Sequence, residues 1–296
     1  MQNQPIRWVL AALSFALLLG LGATPVWAQN GGNAQSSAKK EKLKQLKQSF
    51  RTGLKAAKTN NHSQAYNQLE QALQLARDTE QGGAENQIMG YLQKLPKNWG
   101  NKAIENEDYE QALTHFDKGV THAENDAYMH YGKGLALVNL DSTEAGLNTL
   151  KQAIEVGNRT GNTRVTGLAT ERIRDEFLAK ASKALNAQDP SAAQADSALA
   201  AIDEMEQYVE PNAQALFYRA RALFEKRSFQ EAISTAEAGL EQHQGSRSDA
   251  AKYHFIIAES QMNLGNKSTA CQTFQRATFG DYKARAEHYL KNECED

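Results

Sequence analysis

Residues 215–240 read ALFYRARALFEKRSFQEAISTAEAGL. Leu216, Ala220, Leu223 and Phe224 recur at three- and four-residue steps, and Ile233, Ala236 and Leu240 do the same beyond Lys226-Arg227-Ser228. That spacing lays one apolar stripe along each of two helices. Ser228 and Glu231 have the capping-box spacing, in which a hydroxyl and a carboxylate each satisfy a free backbone N–H at a helix start. The stretch reads as a helical hairpin. Its small residues Ala220, Ala232 and Gly239 stand where paired helices cross, because axes approach within about 8–10 Å only where side chains are small.

The same arrangement recurs along the chain. A small residue, a second 12 positions later and a third 7 beyond that occur as Gly53, Ala65 and Ala72; as Gly100, Ala112 and Gly119; and as Ala258, Ala270 and Ala277. A further set, Gly132, Gly146 and Ala153, needs a first step of 14, which predicts two extra residues in its turn. Leu69, Phe116, Leu150 and Phe274 follow the second small residue by four and supply the bulk beside each crossing. A period of this length is the signature of a stacked helical-repeat array.

Trp99-Gly100 with NEDYEQALTHF (106–116), and Tyr131-Gly132 with LKQAIEVG (150–157), carry a resemblance to the tetratricopeptide repeat, here of an exported bacterial type. The resemblance covers about residues 45–280 as roughly six units, starting near 46, 93, 125, 168, 213 and 251. It implies an all-α, right-handed superhelical solenoid of helix-turn-helix repeats, with the first helix of each pair lining a concave groove. Two stretches depart from the pattern. AENQIMGYLQKL (84–95) predicts an extra or elongated helix running into a break at Pro96. In the fourth unit Asp189 is expected as an N-cap with Pro190 at the first helical position, and the small-residue code is missing.

The resemblance places Lys97 and Asn101; Met129 and Lys133; Phe217, Arg221 and Phe224; and Phe255, Glu259 and Met262 in the groove. Lys97 and Asn101 resemble half of the carboxylate clamp with which some members of the family hold a peptide C-terminus. The other half is missing, and that activity is not carried over. Phe217, Phe224, Phe255 and Met262 would suit an apolar strip for a peptide or partner helix, the alternative being packing between adjacent repeats.

The ends of the chain bear on location. MQNQPIRWVLAALSFALLLGLGATPVWAQN has one basic residue, Arg7, then 14 largely apolar residues (9–22) and Val26-Trp27-Ala28. This is the layout of a secretory signal cleaved after Ala28. Spanning a bilayer takes about 20 apolar residues, and no cysteine follows the run to carry a lipid, so a periplasmic protein that is not a lipoprotein is expected. Residues 29–38 read as a flexible linker and 39–280 as the repeats. Residues 281–296 supply a last capping helix and tail, in which Ala284 and His288, with Ala286, Tyr289 and Leu290, form the amphipathic face. The two cysteines, Cys271 and Cys294, are even in number in an exported chain and favour a disulfide; two buried thiols are the alternative.

With 33 basic and 35 acidic residues the chain has no global field for nucleic acid. No catalytic motif is found. Gly265-Asn-Lys-Ser-Thr269 lacks the framing of a phosphate loop and falls at a helix turn. His115, His122 and His130 are 7 and 8 apart, which is no metal-binding pattern. The expectation is a non-enzymatic chain with no cofactor, metal or small-molecule substrate. It would present its groove to a protein or peptide partner in a bacterial envelope, or else serve as a constitutive accessory subunit of an envelope assembly or secretion complex. KKEKLKQLKQSFRTGLKAAK (39–58) carries eight basic residues and only Glu41. It reads as a solvated helix face or as a contact for an acidic partner or anionic membrane.

Overall fold

In the computed structural model of the chain, residues 37–187 and 190–295 are described, and every regular element among them is helical. The helices fall into pairs: α1 (Ser37–Lys58) and α2 (His62–Asp78), α3 (Gly82–Glu105) and α4 (Tyr109–His122), α5 (Ala127–Asn139) and α6 (Thr143–Thr160). They continue as α7 (Thr163–Ala184) and α8 (Ala192–Met205), α9 (Ala213–Glu225) and α10 (Phe229–Gln242), α11 (Arg247–Asn263) and α12 (Lys267–Arg276). A 3₁₀ turn (Gly280–Tyr282), α13 (Lys283–Tyr289) and a π-helical turn (Leu290–Cys294) close the chain. This is an all-α helical-repeat solenoid. The predicted signal and most of the linker lie outside the described residues.

Two compact units divide between Leu92 and Gln93, inside α3. Leu46, Phe50, Leu69, Leu73, Ile88 and Leu92 are buried in the first. The expected break at Pro96 is absent: α3 runs through the proline. Pro96 has no N–H to give the Leu92 carbonyl, so the helix lacks one backbone hydrogen bond at that turn. The helix persists because Pro96 and its neighbours Leu95 and Trp99 are buried.

Five of the six hairpins share one turn. Asn60, Glu107, Asp141, Arg227 and Gly265 all have positive φ, between 56° and 81°, and each is followed by the N-cap of the next helix: Asn61, Asp108, Ser142, Ser228 and Asn266. The N–H of that N-cap donates back to the carbonyl five residues earlier, at 2.8–3.0 Å. This is a Schellman closure, in which a left-handed residue lets the chain reverse and satisfies a free carbonyl of the first helix. A non-glycine residue there costs about 1 kcal/mol or more, which the closing hydrogen bonds offset. Ser228 is the N-cap foreseen, but its side chain makes no cap hydrogen bond, so the capping box read there does not form. Reciprocal boxes occur instead at Ser191 with Gln194 and at Ser246 with Asp249.

The turn corrects the register of the third hairpin. In the other four, the left-handed residue stands seven positions after the first small residue; counting back from Asp141 gives Gly134, not Gly132. A Cβ on Gly134 would lie 2.8 Å from Leu150 Cγ and 3.0 Å from the Leu150 backbone nitrogen, so Gly134 is where α5 meets α6. Gly134 and Gly146 are 12 apart, and the turn has no extra residues. Gly132 faces Phe116 of the preceding hairpin.

This geometry gives two glycines opposite roles. A Cβ on Gly146 would sit 2.5 Å from Val138 Cγ2 and 2.8 Å from the Val138 nitrogen, whereas one on Gly167, exposed on α7, meets nothing within 4 Å. Gly146→Ala is expected to destabilise by about 1–3 kcal/mol through overpacking. Gly167→Ala should stabilise by about 0.5–1 kcal/mol through backbone entropy. Urea unfolding of both variants measures the contrast; two changes of the same sign would contradict it.

In the fourth hairpin the turn is longer. Ser191, not Asp189, is the N-cap of α8, and Pro190 precedes it instead of occupying the first helical position. Asp189 itself lies outside the described residues. Ser191 accepts from the Gln194 N–H at 3.3 Å and gives its own N–H to Gln194 Oε1 at 2.8 Å, a box that fixes the helix start two residues later than Asp189 would. At the C-terminus the packed face consists of Tyr282, Ala286, Tyr289 and Leu290 against Phe255, Ala258, Ala270 and Phe274, while Ala284 and His288 are exposed. The predicted face was rotated because it began from Ala284. Cys271 and Cys294 form a disulfide that ties the π-helical turn to α12.

Candidate partner-binding face

In the second unit the first helices of successive hairpins touch one another, α5 with α7, α7 with α9 and α9 with α11, while each second helix packs between its own partner and the next first helix. The first helices thus form an inner layer. Third small residues seat this layer: a Cβ on Gly119 would lie 2.7 Å from Met129 Sδ, and one on Gly239 2.7 Å from Tyr253 Cε1.

The structure sorts the sequence candidates. Met129 is fully buried on Gly119 and belongs to the core, a consequence of the two-residue register shift. Lys133 turns toward α4, with Nζ 2.6 Å from Asp117 Oδ1. Phe217 is 6% exposed, between Tyr218 and Tyr253, with the Lys252 ammonium 4.8 Å from its ring centre. Phe255 is 1% exposed and enclosed by Phe274, Tyr282 and Tyr289 of the last helices. Phe224 and Met262 are half-buried. Phe217 and Phe255 therefore pack between elements, and the four apolar residues do not make an open strip.

Glu259 is buried at the centre of the cap contact. Its Oε1 accepts from the Tyr289 hydroxyl at 3.1 Å and from Arg285 Nη2 at 3.4 Å, and the Arg285 guanidinium stacks 4.2 Å over the Phe255 ring. Burial pushes the Glu259 carboxyl above the usual carboxylate range, opposed by Arg285 and the Tyr289 hydrogen bond. Burial, followed by the charge of Glu259, pushes Tyr289 up to about 12. Here a groove position predicted from sequence holds the chain's own cap.

Half-buried polar and aromatic groups remain accessible further up the inner layer. Lys97 Nζ lies 3.1 Å from Asp126 Oδ2 and 4.5 Å from the centre of the Tyr128 ring. Burial raises the Tyr128 hydroxyl pKa, opposed first by the neighbouring Asn101 side chain. Tyr131 packs edge-on against Tyr128 with centroids 6.0 Å apart, and its hydroxyl is also raised by burial. Arg164 on α7 acts on the Tyr128 hydroxyl against the opposing charges of Glu105 and Asp126, and Arg172 acts on Tyr131 against Glu171. Arg221 on α9 is half-buried and donates to the Ala187 carbonyl at 3.4 Å. Lys97, Asn101 and Arg221 are groove positions named from the sequence, and they stand on the first helices α3 and α9. Tyr128, Tyr131, Arg164 and Arg172 were not named, although counting from Gly134 instead of Gly132 moves the groove positions of α5 to Tyr131 and Leu135.

Among the described residues no group of His, Cys, Asp and Glu could hold a metal ion, and no helix is long and apolar enough to cross a membrane. A layered array of hairpins with a polar-aromatic inner face defines a helical-repeat protein. Residues 178–247 match the family model described as the tetratricopeptide repeat. The match spans the fourth and fifth hairpins, including the one whose sequence departs from the small-residue code. Over these residues the chain is similar to the tetratricopeptide repeat.

No curated protein matches the chain. Similar solved structures include YrrB, described as a TPR protein with an unusual peptide-binding site, at 19% identity over 67% of this chain and 92% of that one, with a TM-score of 0.34. MamA is 14% identical over 69% of this chain and 97% of its own, with a TM-score of 0.37. A tetratricopeptide repeat protein from Parabacteroides merdae is 13% identical over 84% and 98%, with a TM-score of 0.29. At such values they say nothing of what this chain binds.

Proposed function

We propose that this chain is a non-catalytic scaffold, exported to a bacterial cell envelope, that holds a segment of a protein partner on its inner face. The observation that carries this reading is the half-buried group of Lys97, Asn101 and Tyr128, with the Arg164 guanidinium near enough to act on the Tyr128 hydroxyl. Tyrosine rings offer a partner large, rigid contact area at little entropic cost, and arginine fixes carboxylates and backbone carbonyls. Export rests on the signal-like leader and is supported by the Cys271–Cys294 bridge, which persists in an oxidising compartment.

Crosslinking and capture from the native envelope test this function, comparing the wild-type chain with an Arg164→Glu, Arg221→Glu variant that keeps the wild-type melting temperature. One enriched partner, reduced at least about tenfold by the variant, is expected from losing two charged contacts at an interface. No enriched partner, or capture indifferent to the variant, would overturn it. Periplasmic fractionation with a mature N-terminus at Gln29 is the expected result for export; a retained leader would remove that part.

A further inference from the structure

The eight cations of α1 fall into two sets. Lys39 and Lys42 pair with Glu80 and Asp78, beside α2. Lys40, Lys44, Lys47, Arg51, Lys55 and Lys58 recur at steps of 4, 3, 4, 4 and 3, which at 100° per residue gathers them into an arc of about 80° along about 27 Å of helix. Of the buried residues, Leu46, Ser49, Gly53 and Ala56 lie on the opposite side and Phe50 on the flank between that side and the stripe. None of the six makes an ion pair among the described residues, and the only acid on the helix, Glu41, stands outside the stripe. Residues 59–296 hold 34 acidic against 24 basic residues. The stripe is therefore a concentration of positive charge in a chain whose residues beyond α1 sum to a net negative charge.

From this geometry we infer that α1 docks the chain onto an anionic lipid surface through that stripe. Five of the six are lysines, compact hydrated charges on flexible stems that suit many diffuse headgroups; bidentate recognition of a particular carboxylate or phosphate favours arginine. The stripe is straight, without a concavity or an interleaved aromatic ring of the kind that grips a peptide or stacks a base. It fits a plane of charge. The remaining residues sum to a net negative charge, so the stripe is the part of the chain that an anionic plane attracts. The inference is independent of the inner face.

The test is co-sedimentation of the purified protein with vesicles of phosphatidylcholine alone or with 30% phosphatidylglycerol as a chosen composition, on the order of physiological salt and above. Binding to the anionic vesicles only, weakening as salt rises, is expected. The triple variant Lys44→Glu, Arg51→Glu, Lys55→Glu should lose about a hundredfold in partitioning. Lys94→Glu, Lys102→Glu, Lys183→Glu, an equal charge change outside α1, should change it less than about twofold, since the attraction comes from the cations in contact with the surface. A companion set with glutamine at 44, 51 and 55 removes charge without repulsion and should fall in between. Equal binding to neutral vesicles, equal losses in both charge-reversed variants, preferential binding to a DNA duplex, or salt-sensitive self-association in place of vesicle binding would each overturn the inference.

Discussion

Replacing Phe116 with alanine is expected to cost about 3–5 kcal/mol, the range for truncating a fully buried aromatic ring. Phe116 is 1% exposed and sits between two glycines, Gly100 on α3 in its own hairpin and Gly132 on α5 in the next. A Cβ on Gly100 would lie 2.7 Å from its Cε2, and one on Gly132 would overlap its Cζ. One ring thus fills the crossing within a hairpin and the seam to its neighbour. Removing it leaves a cavity whose two nearest walls are glycines, with Ala103, Ala112 and Ala136 among its other neighbours, so little side-chain volume is at hand to refill it. Denaturant unfolding measures the loss. The sharper readout is the pair: Gly132→Ala should be strongly destabilising with Phe116 present and close to neutral in the Phe116→Ala background, a coupling of at least about 1 kcal/mol. Additive effects would show that the ring and the glycine do not share that space.

Opening the Cys271–Cys294 bridge should cost about 3 kcal/mol. The cysteines are 23 residues apart, and constraining a loop of that size in the unfolded chain accounts for a loss of this order. The bridge joins α12 to the π-helical turn, and the intervening segment carries Tyr282, Ala286 and Tyr289 onto Phe255 and Phe274. The wild-type chain in a reductant and the Cys271→Ser, Cys294→Ser variant in air should melt alike, both below the oxidised protein. Amide exchange should accelerate in α13 while α5 and α6 stay protected. A melting temperature insensitive to reductant would contradict this.

Sequence showed five hairpins because small residues at helix crossings are visible as letters. The third was misplaced because Gly132 and Gly134 are both glycines two apart, one serving each side of α5, and only the turn distinguishes them. That turn was hidden: its left-handed position is held by Asn60, Glu107, Asp141 and Arg227, with glycine only at 265. Register alone placed Lys97, Asn101 and Arg221 on the first helices of their hairpins, where the structure has them half-buried or partly paired. It failed at Phe217, Phe255 and Glu259, since sequence does not tell whether a groove position is open or filled by the chain's own last helices.

The common turn makes a single residue serve two masters: the amide of Asn61, Asp108, Ser142, Ser228 or Asn266 ties off one helix while its backbone launches the next. Adding one residue at such a junction would rotate the outgoing helix by about 100° and carry its bulky wedge away from the facing gap. The length of these five links is therefore a fixed dimension of the array. The link ahead of Ser191 lacks this constraint, which makes it the natural place for lineages, or a protein engineer, to graft a new loop.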